Sequence, residues 1–477
     1  MNKLMHKLKN RLLNNEKLAV FILLSIFFVV SSAVSVHRYW QYEAWYYDFG
    51  IFYQAISSVA QLKEPIIDHF VFTDKNILGD HFHPIIFLAS PFVALFRTGE
   101  TILIFQALFV TLSGLFVYMI SKHYQKNVFE AVSILTIYLS FIGLHNALIS
   151  EFHAITLLPL PLSIFFYGMV TKKTSWYFLG LIGVLITKES TFVIPAWFSL
   201  IVIMKNKGLW RKIGVFTLIL SITYGLFLLK VVFPLINGVG YYYTQSDSAD
   251  LFNFKRLLNE TKIKTIFDTL ATHGFLPLLA PETLPPILFN WWSRFSGLAT
   301  TRHKLGLHYN AEIAPTLILA VNIGWLRYKT IQNKLLPFIS KFQTRIILFL
   351  LVIAIAGLNF KILNSPLMLF TNKAFFDHSN DFAFLDNLVE AIPDDGIVMA
   401  QQNIAAKISD RKVYILREDY ETFPQKYIVV DFREEQNPNN FFGIIHFDFF
   451  KNKLLTDKNY KLIYNNQDQK IFEKISY

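Results

Sequence analysis

Residues 18–50 read LAVFILLSIFFVVSSAVSVHRYWQYEAWYYDFG, and the change of character inside this stretch decides the fold. Leu18 to Val36 is an unbroken apolar run, close to the roughly 20 residues an α-helix needs to cross a bilayer. Lys3, Lys7, Lys9, Arg11 and Lys17 precede it, so the positive-inside tendency puts the N-terminus in the cytoplasm and residues 37 onward outside. The run lacks a small-residue cleavage site and more apolar runs follow, so it reads as a retained anchor. The segment 37–100 is too polar for lipid and too aromatic for an ordinary solvated loop. It carries Glu43, Asp48, Glu64, Asp68, Asp74 and Asp80, with His69, His81 and His83.

The chain has 477 residues, 53% apolar, 16% aromatic and only 17% charged. With a mean hydropathy of +0.38, that balance fits a polytopic membrane protein better than a soluble enzyme. The net charge of +11 is explained by Lys and Arg at membrane borders, and no nucleic-acid motif accompanies it. There are no cysteines, which excludes disulfides and thiolate metal sites. No repeat of 20–50 residues is present.

Further spans are expected over Thr101–Ile120, Val128–Ile149, Ile155–Val170 and Ile213–Ile236. Ile85 to Phe96 is too short to cross and reads as a helix in the outer interface. Ser175–Thr187 and Ser190–Met204 form a hairpin of short arms with Lys188-Glu189 at its apex. Residues 237–265 make an outer loop with Tyr241-Tyr242-Tyr243, and the Pro-interrupted Ile266–Trp292 reads as two short broken spans. Ala311–Leu326 and Ile346 to about Leu363 complete a mainly α bundle of about 11 crossings over residues 1–370. The basic segments 122–126, 172–173, 205–212 and 327–345 fall on the cytoplasmic side.

From about Asn372 the composition becomes that of a small soluble α/β domain, residues 371–477, placed outside. Ser379 and Asp381 look like the cap and first turn of a helix to Ala391, ended by Pro393. Short strands are expected at Ile397–Ala400, Val413–Leu416 and Tyr427–Val430, with a helical Asn403–Ile408. Lys461–Tyr464 and Lys470–Glu473 flank Asn465-Asn466-Gln467-Asp468 as a hairpin.

In this topology the polar clusters collect on the outer face, as expected of a functional cleft. Asp48 is either a helix cap or loop carboxylate, or else a general base or metal ligand. His81 and His83 share a face in an extended segment, and Asp48, Asp80, His81 and His83 are the candidates for a divalent metal. A metal is not the favoured reading, because their spacing matches no zinc signature. Glu151 and His153 repeat the i, i+2 pattern, either as an interfacial cap or as binding groups. Lys188 and Glu189 pair with each other or, alternatively, Lys188 binds a phosphate. Arg302, Lys304, His308 and Tyr309 form a basic outer loop suited to an anionic ligand. No Walker loop, Gly-x-Ser-x-Gly or His-Glu-x-x-His is found.

Taken together, Tyr-Asp-Phe-Gly-Ile-Phe-Tyr-Gln (47–54), Gly-Asp-His-Phe-His-Pro (79–84), Glu-Phe-His (151–153), Thr-Lys-Glu (187–189) and His-Tyr (308–309) resemble a known family. It is the bacterial polytopic membrane proteins catalogued as domain of unknown function 2079. The likeness extends over most of the chain, including Gly274–Pro281 and Ser409–Tyr414. That family is similar in layout to the GT-C glycosyltransferases, which have an acidic residue in the first outer loop and a His-Pro opening a juxtamembrane helix. They take sugar from a polyprenyl phosphate or diphosphate carrier. Asp48 matches the loop carboxylate and His83-Pro84 the His-Pro, although Tyr47 stands where some relatives have a second acid.

The resemblance implies an integral protein of the bacterial plasma membrane. Its expected activity is inverting transfer of a sugar from a polyprenyl-phosphate carrier to an acceptor hydroxyl. Asp48 is the expected base, and His81, His83, Glu151, His153, Lys188, Glu189, Arg302, His308 and Tyr309 the expected binding groups. Expected partners are the carrier-linked sugar and membrane lipid, with no nucleic acid. The alternatives are a transporter or flippase of a polar lipid or saccharide, and a non-catalytic envelope scaffold.

Overall fold

A computed structural model of the chain describes residues 2–69, 73–241 and 258–475, with side chains from residue 15 onward. Five of its helices are long and apolar enough to cross a membrane: Asn15–Trp40, Glu100–Gln125, Ala154–Thr171, Gly208–Asn237 and Lys341–Ile362. A sixth crossing is made if Val128–Ser140 and Ile142–Ile149, bent by 45° at Phe141, are taken as one. The bend contains no proline. Its freed main-chain groups find side chains instead: Ile142 N donates to Asn359 Oδ1 at 2.8 Å, and a ring nitrogen of His145 lies 2.7 Å from the Leu139 carbonyl. Those two buried polar residues are thereby accounted for.

The sequence suggests about eleven crossings, and the difference lies in the short elements. Thr174–Leu185, Glu260–Ala271 and Leu284–Phe295 have 12 residues each and Val193–Lys205 has 13. At about 1.5 Å per residue such helices reach roughly 20 Å, short of a hydrocarbon core of about 30 Å. Ala314–Leu335 is long enough, but Asn322, Arg327 and Lys329 interrupt its apolar character.

Trp40 and Glu100, at the two ends of the loop between the first and second spans, are tied by Trp40 Nε1 to Glu100 Oε1 at 2.7 Å. Inside this loop lie helix Ile51–Ala60, a short antiparallel pair β1 (Ile66–Ile67) and β2 (Lys75–Asn76), and the short apolar helix Pro84–Phe96, expected from Ile85 to Phe96. Residues 70–72 and, in the later loop, 242–257 (with Tyr242 and Tyr243) lie outside the described residues.

The C-terminal region holds a five-stranded sheet of β3 (Val398–Ala400), β4 (Val413–Ile415), β5 (Tyr427–Asp431), β6 (Tyr460–Asn466) and β7 (Gln469–Lys474), in the order β4-β3-β5-β7-β6. The first three strands are mutually parallel, while β7 runs antiparallel to both β5 and β6. All five expected strands form, as does a helix at Gln402–Lys407. Helix Phe447–Thr456, not expected, covers one sheet face with Phe450 and Leu454 against Met399, Tyr414, Ile428 and Val430. Ser379 is not a helix cap: residues 378–382 form a 3-10 turn before helix Ala383–Glu390. Its hydroxyl instead lies 2.9 Å from His37 Nδ1, at the end of the first span.

The other sheet face is not solvated. Val398, Ala400, Val413, Ile415, Val429 and Ile471 share one apolar core with Tyr46, Phe49, Phe52, Ile56, Ile86 and Ile102. That core runs across the 370/371 boundary drawn from composition. The sheet therefore rests directly on the segment that carries Asp48.

Candidate functional site

Trp45 to Gly50 is wound as a wide turn, with Phe49 N and Gly50 N both donating to Trp45 O at 2.8 and 3.2 Å. Gly50 permits this winding, because a Cβ there would lie 2.5 Å from the Tyr46 ring. Such five-residue windings are uncommon and concentrate at functional sites. Three side chains fix this one. Glu151 Oε2 accepts from Trp45 N and Phe49 N at 3.1 and 3.0 Å. Gln402 Oε1, from the first helix after β3, accepts from Tyr47 N at 2.9 Å. Tyr46, fully buried, donates to Gln54 Oε1 at 2.9 Å. Asp48 sits at the centre of this frame, deep in the fold but still reached by solvent.

Glu151 is itself held hard. Its φ of +71° is in the left-handed region, a conformation that persists only when its surroundings impose it. Buried Gln106, on the second span, supplies the clamp: Nε2 donates to Glu151 O at 2.8 Å and Oε1 accepts from His153 N at 2.9 Å. Burial, and then the charge of Asp48, push the Glu151 carboxyl well above its usual range, against the two main-chain donors. Burial raises Asp48 to about 6. Two adjacent enclosed carboxyls do not both ionise readily, and burial pushes Glu151 the further up of the two, the direction that leaves the charge on Asp48.

A second cluster adjoins the first. Lys188 is extended rather than helical, and the two members of the hairpin apex go separate ways. Glu189 turns inward, where its Oε1 is 2.9 Å from His81 Nδ1 and 2.8 Å from the Tyr241 hydroxyl, and its Oε2 accepts from Phe82 N at 3.0 Å. Burial alone would raise this carboxyl, but His81, Lys188 and the main chain outweigh it and hold it well below the usual range. Lys188 makes no ion pair within 4 Å among the described residues, and its charge is felt by His83, His153, His308 and Glu312. The His153 and His308 rings lie 3.5 Å apart between centroids. Burial first, and the Lys188 charge among the cations around them, lower His83 and His153 to about 3 and His308 well below its usual value. All three are neutral imidazoles, and His83 Nε2 and His308 Nδ1 are buried without partners.

His308 and Tyr309 join the two clusters. Tyr309 senses the charges of both Asp48 and Arg302, while its ring is 4.1 Å from that of His308. Arg302 lies against the Tyr309 ring at 5.8 Å. Arg294, buried under this loop, donates to the carbonyls of Arg302 and Lys304 at 2.9 and 2.7 Å and to Asn310 Oδ1 at 2.8 Å. It builds the loop, a part that its place in a basic sequence run did not reveal. Glu312, Tyr241, Gln106 and Gln402 were also missed. Only Gln106 left a signal, as a polar residue in the middle of an apolar span.

Asp48, Glu151, His153, Lys188, Glu189, His81, His83, Arg302, His308 and Tyr309 thus gather at one end of the bundle. The metal candidates do not assemble with them into a cage. His81 is engaged by Glu189, the His81 and His83 rings are 6.3 Å apart, and the group beside Asp48 is the Glu151 carboxyl. Among the described residues no group of three or more His, Asp or Glu side chains is arranged to hold a metal ion.

A bundle of apolar helices with polar side chains converging at one end defines a polytopic membrane protein. The chain belongs to the family described as predicted membrane protein, domain of unknown function 2079, whose model matches residues 38–443. No curated protein matches it.

Proposed function

We propose that this chain is a membrane-embedded glycosyltransferase that moves a sugar from a polyprenyl-phosphate carrier to an acceptor hydroxyl. The observation that carries the reading is the closeness of the Asp48 carboxylate, through Tyr309, to a cluster of Lys188, His153 and His308 in which His308 Nδ1 is buried without a partner. A glycosyl transfer needs that pairing: a base for the attacking hydroxyl and, a few ångströms off, a non-acidic cradle for the departing phosphate. Asp48 accepts the hydroxyl proton as the oxygen bonds to the anomeric carbon. The bond from that carbon to the phosphate oxygen breaks, and the phosphate leaves with the electron pair. Lys188 and Arg302 stabilise it by charge and His308 by hydrogen bonding. The single displacement inverts the anomeric centre through an oxocarbenium-like transition state. Short arms such as the Lys188 hairpin would then be partial crossings around a site facing outward, with the N-terminus in the cytoplasm of a bacterial cell.

Lipid co-purification with mass spectrometry tests the reading. The protein should enrich a polyprenyl-phosphate species over bulk phospholipid, and Lys188→Met should lose it. Retention of ordinary phospholipid alone by the wild-type chain would overturn the proposal.

A further inference from the structure

The first and second spans, Asn15–Trp40 and Glu100–Gln125, run antiparallel and leave a groove of about 400 Å³ between them. Sites for small ligands usually measure about 300–1,000 Å³. The walls are apolar: Val20, Leu24 and Phe28 on the first span, Leu108, Leu112 and Leu115 on the second. Leu24 meets the second span at Gly114, where a Cβ would lie 2.7 Å from its side chain, so the two helices touch there. Phe21, Leu108, Leu112 and Leu115, which also line the groove, are exposed, and the groove is open to the surroundings of the bundle.

One end of the groove is polar. Glu16 Oε1 accepts from Lys122 Nζ at 2.7 Å and from the Tyr118 hydroxyl, which ties the two spans and holds the Lys122 ammonium in place. Lys17, exposed and lining the groove, makes no ion pair within 4 Å among the described residues. The helix continues unbroken to Asn2, and the sequence adds Lys3, Lys7, Lys9 and Arg11 with no acid before Glu16. The charge at this end is therefore positive. Each cation at a membrane border favours an anionic headgroup about fivefold.

Length selects the occupant. Glu16 to Phe28 covers about 18 Å of helix, close to the roughly 15 Å of half a hydrocarbon core together with its border. That is the reach of one acyl chain within one leaflet. Trp40 and Glu100, joined at 2.7 Å, mark the other end of the same two helices, about 36 Å from Glu16. The Asp48 turn follows directly from that other end. A carrier with its phosphate at Lys188 thus belongs to one membrane border, and the groove opens its charged end at the opposite one.

We infer that this groove holds an anionic glycerophospholipid from the leaflet at the N-terminal end of the first span, with one acyl chain between the spans and the phosphate at Lys17 and Lys122. The chain methylenes cover Val20, Leu24, Leu112 and Leu115. The phosphate oxygens accept from the two ammonium groups, one of them already fixed by Glu16. Such a lipid binds whether or not the chain is a transferase.

Native mass spectrometry of the purified full chain tests this, after exchange in detergent with equimolar phosphatidylglycerol and phosphatidylcholine of the same acyl chains. Wild type should keep one lipid and prefer phosphatidylglycerol about fivefold. Leu112→Trp and Ser25→Phe fill the groove from opposite walls at partly exposed positions. Each should stay folded and monodisperse and lower retention of both lipids at least fivefold. Lys17→Gln should keep the lipid and lose most of the preference. Retention of no lipid or of both equally by wild type, wild-type retention by either groove variant, or an undiminished preference in Lys17→Gln overturns the site. A wild-type dimer that the groove variants dissociate would give the groove to a second copy and overturn it equally. Polyprenyl-phosphate enrichment should be the same in the groove variants as in wild type. Absence of that enrichment from every form removes the transferase and leaves the lipid site standing.

Discussion

Replacing Glu151 with glutamine separates the two parts played by its carboxyl group, as an acceptor for the Asp48 turn and as an acid beside Asp48. In the wild type Oε2 takes two main-chain N–H groups, from Trp45 and Phe49; the second also bonds Trp45 O at 2.8 Å. Glutamine keeps a carbonyl oxygen in that place, so the turn should survive at a cost under about 1 kcal/mol. Alanine leaves Trp45 N buried with no acceptor and should cost about 1–3 kcal/mol. The acid side gives a signed prediction. The folded carboxyl titrates well above its ordinary 4.5, so the folded chain keeps a proton that the unfolded chain releases. Its contribution to stability is present below about pH 4.5 and is lost as pH rises toward the folded value. Glutamine has no such term, and thermal unfolding in detergent should favour Glu151→Gln over wild type increasingly as pH rises. The transfer rate should fall on the acid side with a midpoint near the Asp48 value of about 6, and in Glu151→Gln that midpoint should hardly move, because the glutamine replaces a neutral acid. A midpoint lowered by more than about one pH unit, some 1.4 kcal/mol of lost repulsion, would show that Glu151 carried the charge and refute the assignment.

Asp48→Asn should fold normally and lose transfer by about 10²–10⁴-fold, the usual worth of a positioned base; turnover close to wild type would make Asp48 a structural residue. Lys188→Met should weaken binding of a short-chain prenyl-phosphate sugar, and Lys188→Arg should recover it only in part, since a planar fork replaces a point charge. Unchanged binding by the methionine variant would move the phosphate site elsewhere. For orientation, Asp394→Cys, at a nearly fully exposed side chain, should react with an impermeant thiol reagent on intact cells, and Asn333→Cys only after permeabilisation. The opposite pattern would invert the topology.

The fold was legible wherever burial imposes a period or a length. The apolar runs that became Asn15–Trp40, Glu100–Gln125 and Gly208–Asn237 are long enough to leave no alternative. The tail strands show as short β-branched segments between turn residues. The short elements were harder, because a 12-residue apolar run is equally a membrane arm or a buried core helix. Helix Phe447–Thr456 escaped notice because most of its aromatic residues do not mark a clear face: Phe450 is buried but Phe449 is 67% exposed. Ser379 had the composition of a cap, and a partner more than three hundred residues away claimed it.

In the site, what the sequence carried was residue type, and what it lacked was partnership. Asp48, Glu151, His153 and Lys188 could be picked out because charged or imidazole groups beside apolar spans are expensive to keep. Which of them would touch was not readable. Adjacent Lys188 and Glu189 invite pairing, yet an extended backbone sends Glu189 to His81 and leaves Lys188 facing the imidazoles. The same holds for Glu151. As one member of an i, i+2 pair with His153 it suggested either an interfacial cap or a binding group. Its left-handed backbone, held by Gln106 from another helix, instead aims its carboxyl at the Trp45–Phe49 main chain. Glu151 therefore holds the Asp48 turn in place, and its carboxyl, pushed up the further of the two, is the expected holder of the proton the pair shares. Neither effect has a local sequence signature, since both depend on a glutamine some fifty residues away and on the burial that the tail sheet helps to complete.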